Sequence, residues 1–429
     1  MKKEKDKKYE GGITLVALVV TIVILLILAG VSLNLVIGNE GILTRSREAV
    51  DKYGKQAENE QQALNDVEDW MDEQFGDTGM KKVTVNTKAT KNGTINGKEP
   101  NINNPIIPKG YTPINAGSAT WGDGNSSPDQ SSVDNGLVIK DDNNNEWVWI
   151  PVEASTLASM YATSNDGIAI SGDVGVATKM YTKSTTIGKT GDTKTLSRST
   201  PNTTDYREPD LIVGSDGASC DKKESYYKTI LGYDSPKAMA EAFTTDYANM
   251  IVSIQKYGGF YIGRYELSNE GVQKGKATLT NKNWYELYKK CTELNASDKV
   301  ESKMIWGIQW DLACDFISKK GEQKSITNSN TWGNYQDSTG NAAVMDGETK
   351  KYGSKQVTGF SEYWKANNIY DLAGNCNEWT QEADDTSNRA SRGRSYLDYG
   401  SSMPASDRNS NGAGSSNSFY SSRPTLIIK

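Results

Sequence analysis

The sequence has no histidine. That absence removes Ser-His-Asp and Cys-His nucleophile activation, histidine general bases and every metal site that needs imidazole. Cysteine is nearly as scarce. The four present, Cys220, Cys291, Cys314 and Cys376, lie far apart with no CxxC pair, so neither a zinc site, a redox dithiol nor a disulfide scaffold is indicated. Basic charge is also in deficit. With 48 Lys and Arg against 54 Asp and Glu, the net charge is -6, which argues against binding nucleic acid by neutralising phosphates. What remains is a chain of 429 residues, 36% hydrophobic and 24% charged, enough for two or three domains with a sizeable core.

One long hydrophobic run is present. Ile13 to Ile37 (ITLVALVVTIVILLILAGVSLNLVI) contains no charged side chain, and at about 1.5 Å per residue it exceeds the roughly 30 Å hydrocarbon layer of a bilayer. The preceding residues 1–12 hold Lys2, Lys3, Lys5, Lys7 and Lys8. Such a basic flank favours a cytoplasmic amino end and an exterior location for the rest of the chain. Gly11 and Gly12 precede the apolar run instead of a small-residue cleavage site following it. This order resembles the amino terminus of type IV prepilins, and the resemblance implies a membrane peptidase cutting between Gly12 and Ile13. The fifth residue after that cut is Ala17, where the family usually has Glu. An uncut signal anchor accounts for the same residues.

Beyond the run, Leu43, Val50, Ala57, Leu64 and Met71 recur every seven residues, with Tyr53 and Val67 between them. The pattern predicts an amphipathic stalk helix over 38–76 that packs on the globular part or self-associates as a coiled coil. Residues 77–104 are rich in Lys, Thr, Asn and Gly without apolar periodicity, which reads as a flexible linker. The remaining residues, 105–429, form the main domain. Helices are predicted over Ser235 to Tyr257, Asn283 to Leu294 and Trp310 to Lys320, and a strand over Glu146 to Val152 (EWVWIPV). Asp141, Asn143 and Asn145 imitate the start of an EF-hand loop, but Glu146 stands where glycine is required and Val152 where the last carboxylate belongs, so a hairpin turn is expected. Gly188-Lys189-Thr190 lacks the earlier glycine of a phosphate-binding loop, whose place is taken by Lys183.

Six segments in order carry a second resemblance: EWVWIPV at 146–152, FYIGRYELSNEG at 260–271, MIWGIQWDLACDFI at 304–317, NIYDLAGNCNEWTQE at 368–382, RASRGRSY at 389–396 and SSRPTLII at 421–428. Together they resemble the formylglycine-generating enzyme (sulfatase-modifying factor) superfamily. The resemblance implies an α+β domain with a C-type lectin-type fold, preceded here by the long transmembrane and stalk helix. It also implies a structural Ca²⁺ with Asn375 and Glu378 as oxygen donors; a turn whose side chains cap backbone groups explains those residues equally well. The copper-binding cysteine pair of the oxidase branch has no counterpart, because residues 394–429 contain no cysteine. The iron-binding branch needs histidine. No catalysis is therefore expected, and Cys376 is read as a buried structural thiol.

Residues 394–422 contain ten Ser, three Tyr, three Asn and three Gly, with no Lys or Glu. Tyr offers rigid amphipathic contact area and the small polar residues offer adaptable hydrogen bonds, as in antibody paratopes. An ordinary turn-rich surface loop has a similar composition. In C-type lectin-fold proteins diversified by retroelements, the variable residues occupy this stretch, and the resemblance implies the same use here. The expected contacts are Tyr396, Asp398, Tyr399, Ser401, Ser402, Ser406, Asp407, Asn409, Asn411, Asn417 and Tyr420, with Arg394 and Arg408 as charged anchors. The sequence thus predicts a non-catalytic, cell-surface binding protein held by residues 13–37 in the membrane, with an extracellular protein or glycan as ligand. Its other expected partners are the prepilin peptidase and pilus subunits. The rival functions are a structural minor pilin and a formylglycine-generating-enzyme-like oxidase.

Overall fold

The computed structural model describes residues 80–116, 130–164, 179–196, 206, 208 and 220–429, except 296, 298, 346, 350–352, 385 and 386. The apolar run Ile13 to Ile37, the cleavage position Gly12–Ile13 and the stalk 38–76 lie outside the described residues. No helix among the described residues is long and apolar enough to cross a membrane. Residues 79–429 form one compact unit of mixed α and β structure.

The strands of the two larger sheets and of one hairpin are, in chain order, β1 (Thr112–Pro113), β2 (Val138–Lys140), β3 (Glu146–Pro151), β4 (Thr185–Lys189), β5 (Asp192–Leu196), β6 (Gly259–Gly263), β7 (Val300–Met304), β8 (Asn377–Ala383), β9 (Asn388–Arg392), β10 (Arg408–Gly412), β11 (Tyr420–Ser422) and β12 (Pro424–Ile428), with β4 and β5 forming the hairpin. The three longest α-helices among the described residues are α1 (Pro236–Tyr257), α2 (Trp284–Thr292) and α3 (Gly307–Lys319). A six-stranded antiparallel sheet has the order β7-β12-β6-β3-β2-β1. A four-stranded sheet has the order β10-β9-β8-β11, in which β8 and β11 run parallel.

Side chains alternate across the large sheet, as the two-residue period of a strand requires. Val148, Ile150, Phe260 and Ile262 enter the main core with the helices, whereas Trp147, Trp149, Tyr261 and Leu426 join a second core on the opposite face. A strand with bulky apolar residues at both parities needs cover on both faces. The segment expected to be a linker supplies it. Its Val83, Ala89 and Ile95 are buried in the second core, beside Ile106 and Ile107 of the adjoining segment, where the Tyr261 hydroxyl donates to the Ile106 carbonyl at 2.9 Å. Residues 80–104 are thus part of the domain, which corrects the linker reading.

Helix ends follow local chemistry. The Ser235 hydroxyl accepts the Ala238 N–H, Pro236 opens α1, and Gly258 at φ +76° closes it. Asn283 and Glu286 form a reciprocal capping box on α2. The two amide groups opening α3, from Gly307 and Ile308, are accepted by the carboxylate of a distant residue, Glu208. At the β2–β3 turn Asp141 Oδ1 accepts the N–H groups of Asn143 and Asn145, so this segment is the hairpin turn that the failed EF-hand match implied.

Candidate binding surface

The last β-sheet carries the Ser/Tyr-rich stretch and stands on buried charge. Arg392 on β9 and Arg408 on β10 lie opposite each other in register, and both converge on Asp311 of α3. Arg392 reaches Asp311 Oδ1 at 2.7 Å, and Arg408 binds Asp311 Oδ2 and, at 2.8 Å, Glu382 Oε2 of β8. All four side chains are at most 8% exposed. Burial alone would lower the Arg408 guanidinium, but Asp311 and Glu382 reverse this and hold it above its ordinary value. The Arg408 guanidinium also lies 5.5 Å from the Tyr206 ring centroid. Arg392 donates in addition to the Ser406 and Asp407 carbonyls, at 3.0 and 2.9 Å.

From this frame the chain runs outward. Gly393 at φ +77° makes the turn after β9, where a Cβ would meet the Leu372 carbonyl and the Trp310 ring. The backbone of the following loop is fixed by its own hydrogen bonds. Tyr396 N–H donates to the Asn375 carbonyl at 3.1 Å, and Gln336 N–H donates to the Asp398 carbonyl at 2.9 Å. Asp398 accepts from the Ser395 amide and hydroxyl, while Asp337 accepts from the Gly400 and Ser401 amides. The projecting side chains are free of that work. Tyr399, Leu397, Ser401 and Ser402 are exposed, and Tyr396 is half-buried. A second loop, 413–418, is pinned at its base by Trp284 N–H to the Ala413 carbonyl and Asn281 N–H to the Asn417 carbonyl. Its tip, Ser416 to Ser418, is exposed. Lys355 links the two sides by donating to Thr280 Oγ1 and the Ser418 carbonyl.

The expected contact residues therefore divide. Tyr396, Asp398, Tyr399, Ser401, Ser402 and Asn417 sit on the two loops. Asn409 and Asn411 are half-buried at alternate positions on β10. Arg394 donates twice to Asp407 Oδ2 beside the loop, and Lys194 of β5 approaches Asp407 Oδ1 at 4.0 Å. Three assignments are corrected by burial. Ser406 is fully buried and donates to the Ile326 carbonyl at 2.6 Å. Arg408 belongs to the ionic frame. Tyr420 is 3% exposed and stacks on Trp379 with centroids 4.6 Å apart; burial pushes its hydroxyl up to about 12 although Arg394 pulls the other way. These three are framework.

The proposed calcium donors do not fit a cation. Both Glu378 oxygens are held by Arg423, at 2.6 and 2.9 Å. Asn375 Oδ1 accepts from Gln356 N–H and Asn334, and its Nδ2 donates to Glu266. The pair is a positioning device in which Asn375, at φ +58°, adopts the left-handed turn that asparagine tolerates. Beside them, Glu266, Asp371 and Glu378 are three buried carboxylates facing one arginine. Burial raises all three, Asp371 to about 7, and for Glu266 the neighbouring Asp371 and Glu378 add to the rise. No group of three or more metal-ligating side chains among the described residues is placed to hold a metal.

Cys291, Cys314 and Cys376 are fully buried, and burial pushes the first two thiols up to about 12 and Cys376 well above its usual range. Sequence reasoning missed a neighbouring loop, 353–363, which abuts the Tyr396 loop and exposes Val357, Phe360 and Tyr363. Its sequence, GSKQVTGFSEY, has isolated apolar residues and no strand or helix period, so only its position in space marks it.

No family model matches the chain, and no curated protein matches it. Among solved structures the chain is similar to Treponema denticola variable protein 1, at 16% identity and a TM-score of 0.28, over 40% of this chain and 85% of that one. It is similar also to CarF, at 13% identity and a TM-score of 0.28, over 40% of this chain and 87% of that one.

Proposed function

We propose that this chain is a non-catalytic binding protein whose contact surface is formed by the loops 395–402 and 413–418. The observation that carries the reading is the division of labour in the first loop: its backbone and carboxylates are hydrogen-bonded inward, and Tyr399, Leu397, Ser401 and Ser402 project outward. Such a surface tolerates substitution because its conformation does not depend on the projecting side chains. The buried, proton-retaining thiols and the lack of histidine support a role without covalent catalysis. The apolar run 13–37 with its basic flank supports display at a cell surface, anchored in the membrane, and the composition of 394–422 supports diversification of the gene's end.

The test is deep sequencing of the 3′ end of the gene from one bacterial population. Substitutions are expected in codons 396–402 and 409–418, with codons 392, 393, 408, 423 and 424 constant. A uniform end would sink diversification. Changes scattered equally over Arg408 and Arg423 would sink the division between contact loops and frame.

A further inference from the structure

Among the described residues, five large hydrophobic side chains are exposed: Val357 at 39%, Phe360 at 38%, Tyr363 at 52%, Leu397 at 51% and Tyr399 at 49%. They occupy two loops only. Leu397 and Tyr399 belong to the contact loop of the proposed function, and Val357, Phe360 and Tyr363 to the loop 353–363 outside the Ser/Tyr-rich stretch. Scattered exposed apolar residues need no explanation, whereas apolar residues confined to adjoining loops mark an interaction surface.

The two loops are joined at one residue. Asn375 accepts the Tyr396 N–H on its carbonyl and the Gln356 N–H on its side-chain oxygen, the latter at 2.9 Å. A Cβ on Gly353 would lie 1.6 Å from the Tyr396 carbonyl oxygen, so the loop backbones touch. Asn334, which also hydrogen-bonds Asn375, donates to the Ser354 carbonyl at 2.9 Å. The second loop is therefore held by the same clasp as the first.

Most charges around these loops are paired within the chain, and the Lys355 ammonium donates to Thr280 Oγ1 and the Ser418 carbonyl. Arg394 pairs with Asp407, and Asp398 and Asp337 accept backbone amides. Glu362 accepts from Lys274, Lys365 and the Tyr370 hydroxyl. The Asp398 and Asp337 carboxylates, which could grip sugar hydroxyls, are thus engaged within the chain, and two of the five exposed side chains are aliphatic and offer no ring for a sugar to stack on. We propose that loop 353–363 is the constant half of the binding face, supplying Val357, Phe360 and Tyr363 as apolar contacts shared by every sequence of the other loop, and that the partner is an uncharged, apolar-centred protein surface. This rests on the reading that 395–402 contacts ligand. Apolar residues fixed beside adaptable ones would give affinity independent of specificity.

The experiment pans phage-displayed random short peptides on the full chain, then measures the selected synthetic peptides against variants. Tyr363→Ser and Val357→Ser, both at exposed positions, keep the fold; an unchanged melting temperature checks this. Selected peptides should be rich in Leu, Phe and Trp, and their affinity should change by less than about threefold as salt is raised. Tyr363→Ser, Val357→Ser and Tyr399→Ser should each weaken them about tenfold. Loss on Tyr399→Ser alone, with Tyr363→Ser and Val357→Ser unaffected, overturns the constant half and leaves the binding reading standing. Retention on Tyr399→Ser overturns the binding reading as well. Charged, salt-sensitive peptides, no selected peptide, or neutral oligosaccharides bound at the same residues overturn the partner class.

Discussion

Two parts of the stretch 394–422 share a composition and differ in what the fold does with them. Around Arg408 on β10, every charge is buried against an opposite one, and the strand is registered residue by residue on β9. In loop 395–402, the backbone and the Ser395 and Asp398 side chains are fixed, while Leu397, Tyr399, Ser401 and Ser402 face solvent. The contrast teaches that a loop can leave its projecting side chains without structural work when backbone hydrogen bonds and the Asp398 and Asp337 carboxylates hold its shape. The sharpest way to break the comparison is Arg408→Ala. It would leave Asp311 with Arg392 and take from Glu382 its 2.8 Å partner, and loss of one partner of a buried pair costs about 3–5 kcal/mol. Denaturant unfolding should show that loss; a change within about 0.5 kcal/mol would put Arg408 back among the contacts.

Tyr420 tests the same boundary from the other end. Its ring is enclosed between Trp379 and Phe419, at 4.6 and 5.0 Å. Tyr420→Ala should cost about 3 kcal/mol by cavity formation, well beyond any loss of binding surface. Thermal melting checks it, with Tyr420→Phe expected to recover most of the stability. If Tyr420→Ala melts like the parent chain, the ring is not part of the framework.

The frame was largely legible in the sequence and the cover was not. The helices over 235–257 and 283–294 were marked by Ser235-Pro236 and by Asn283 three residues before Glu286, local chemistry that acts within one turn. Arg392 and Arg423 stand in the segments RASRGRSY and SSRPTLII that carry the resemblance, and both are fully buried. Residues 80–104 were misread because their few apolar residues have no period of their own. They are positioned by the Trp147 and Trp149 face they cover, and the signal was in that strand, whose apolar residues at both parities demand a second layer. Ser406, Arg408 and Tyr420 looked like contacts because composition cannot distinguish a buried Ser, Arg or Tyr from an exposed one. Their partners, Ile326, Asp311 and Trp379, are distant in sequence.

A third prediction concerns the carboxylate cluster beneath the Asn375 clasp. Burial raises Asp371 to about 7, against an ordinary value near 3.8. Between those values the native state keeps a proton that the unfolded chain has released, so its contribution to stability is complete in acid and is lost as pH rises to about 7. Glu266 and Glu378 are shifted in the same direction. Glu362, lowered to about 2 and largely exposed, works oppositely, and only below its ordinary value near 4.5. The protein should therefore melt higher at about pH 5.5 than at about pH 7.5. Asp371→Asn should flatten that slope; an unchanged slope in the variant would assign it elsewhere.

The smallest expected effect on stability is the most telling for the comparison. Tyr399→Ser and Leu397→Ser remove side chains that are half exposed and carry no hydrogen bond of the framework. Surface changes of this kind stay within about 0.5 kcal/mol. Asp337, one loop away, is different: its carboxylate accepts the Gly400 and Ser401 amides, so Asp337→Ala leaves backbone donors unmet and should cost about 1 kcal/mol. Amide hydrogen exchange separates the two outcomes. Protection at Gly400 and Ser401 should persist in Tyr399→Ser and fall in Asp337→Ala. If Tyr399→Ser lowers that protection as well, the exposed ring holds its own loop in place, and a loop that depends on its projecting side chains for shape cannot exchange them freely.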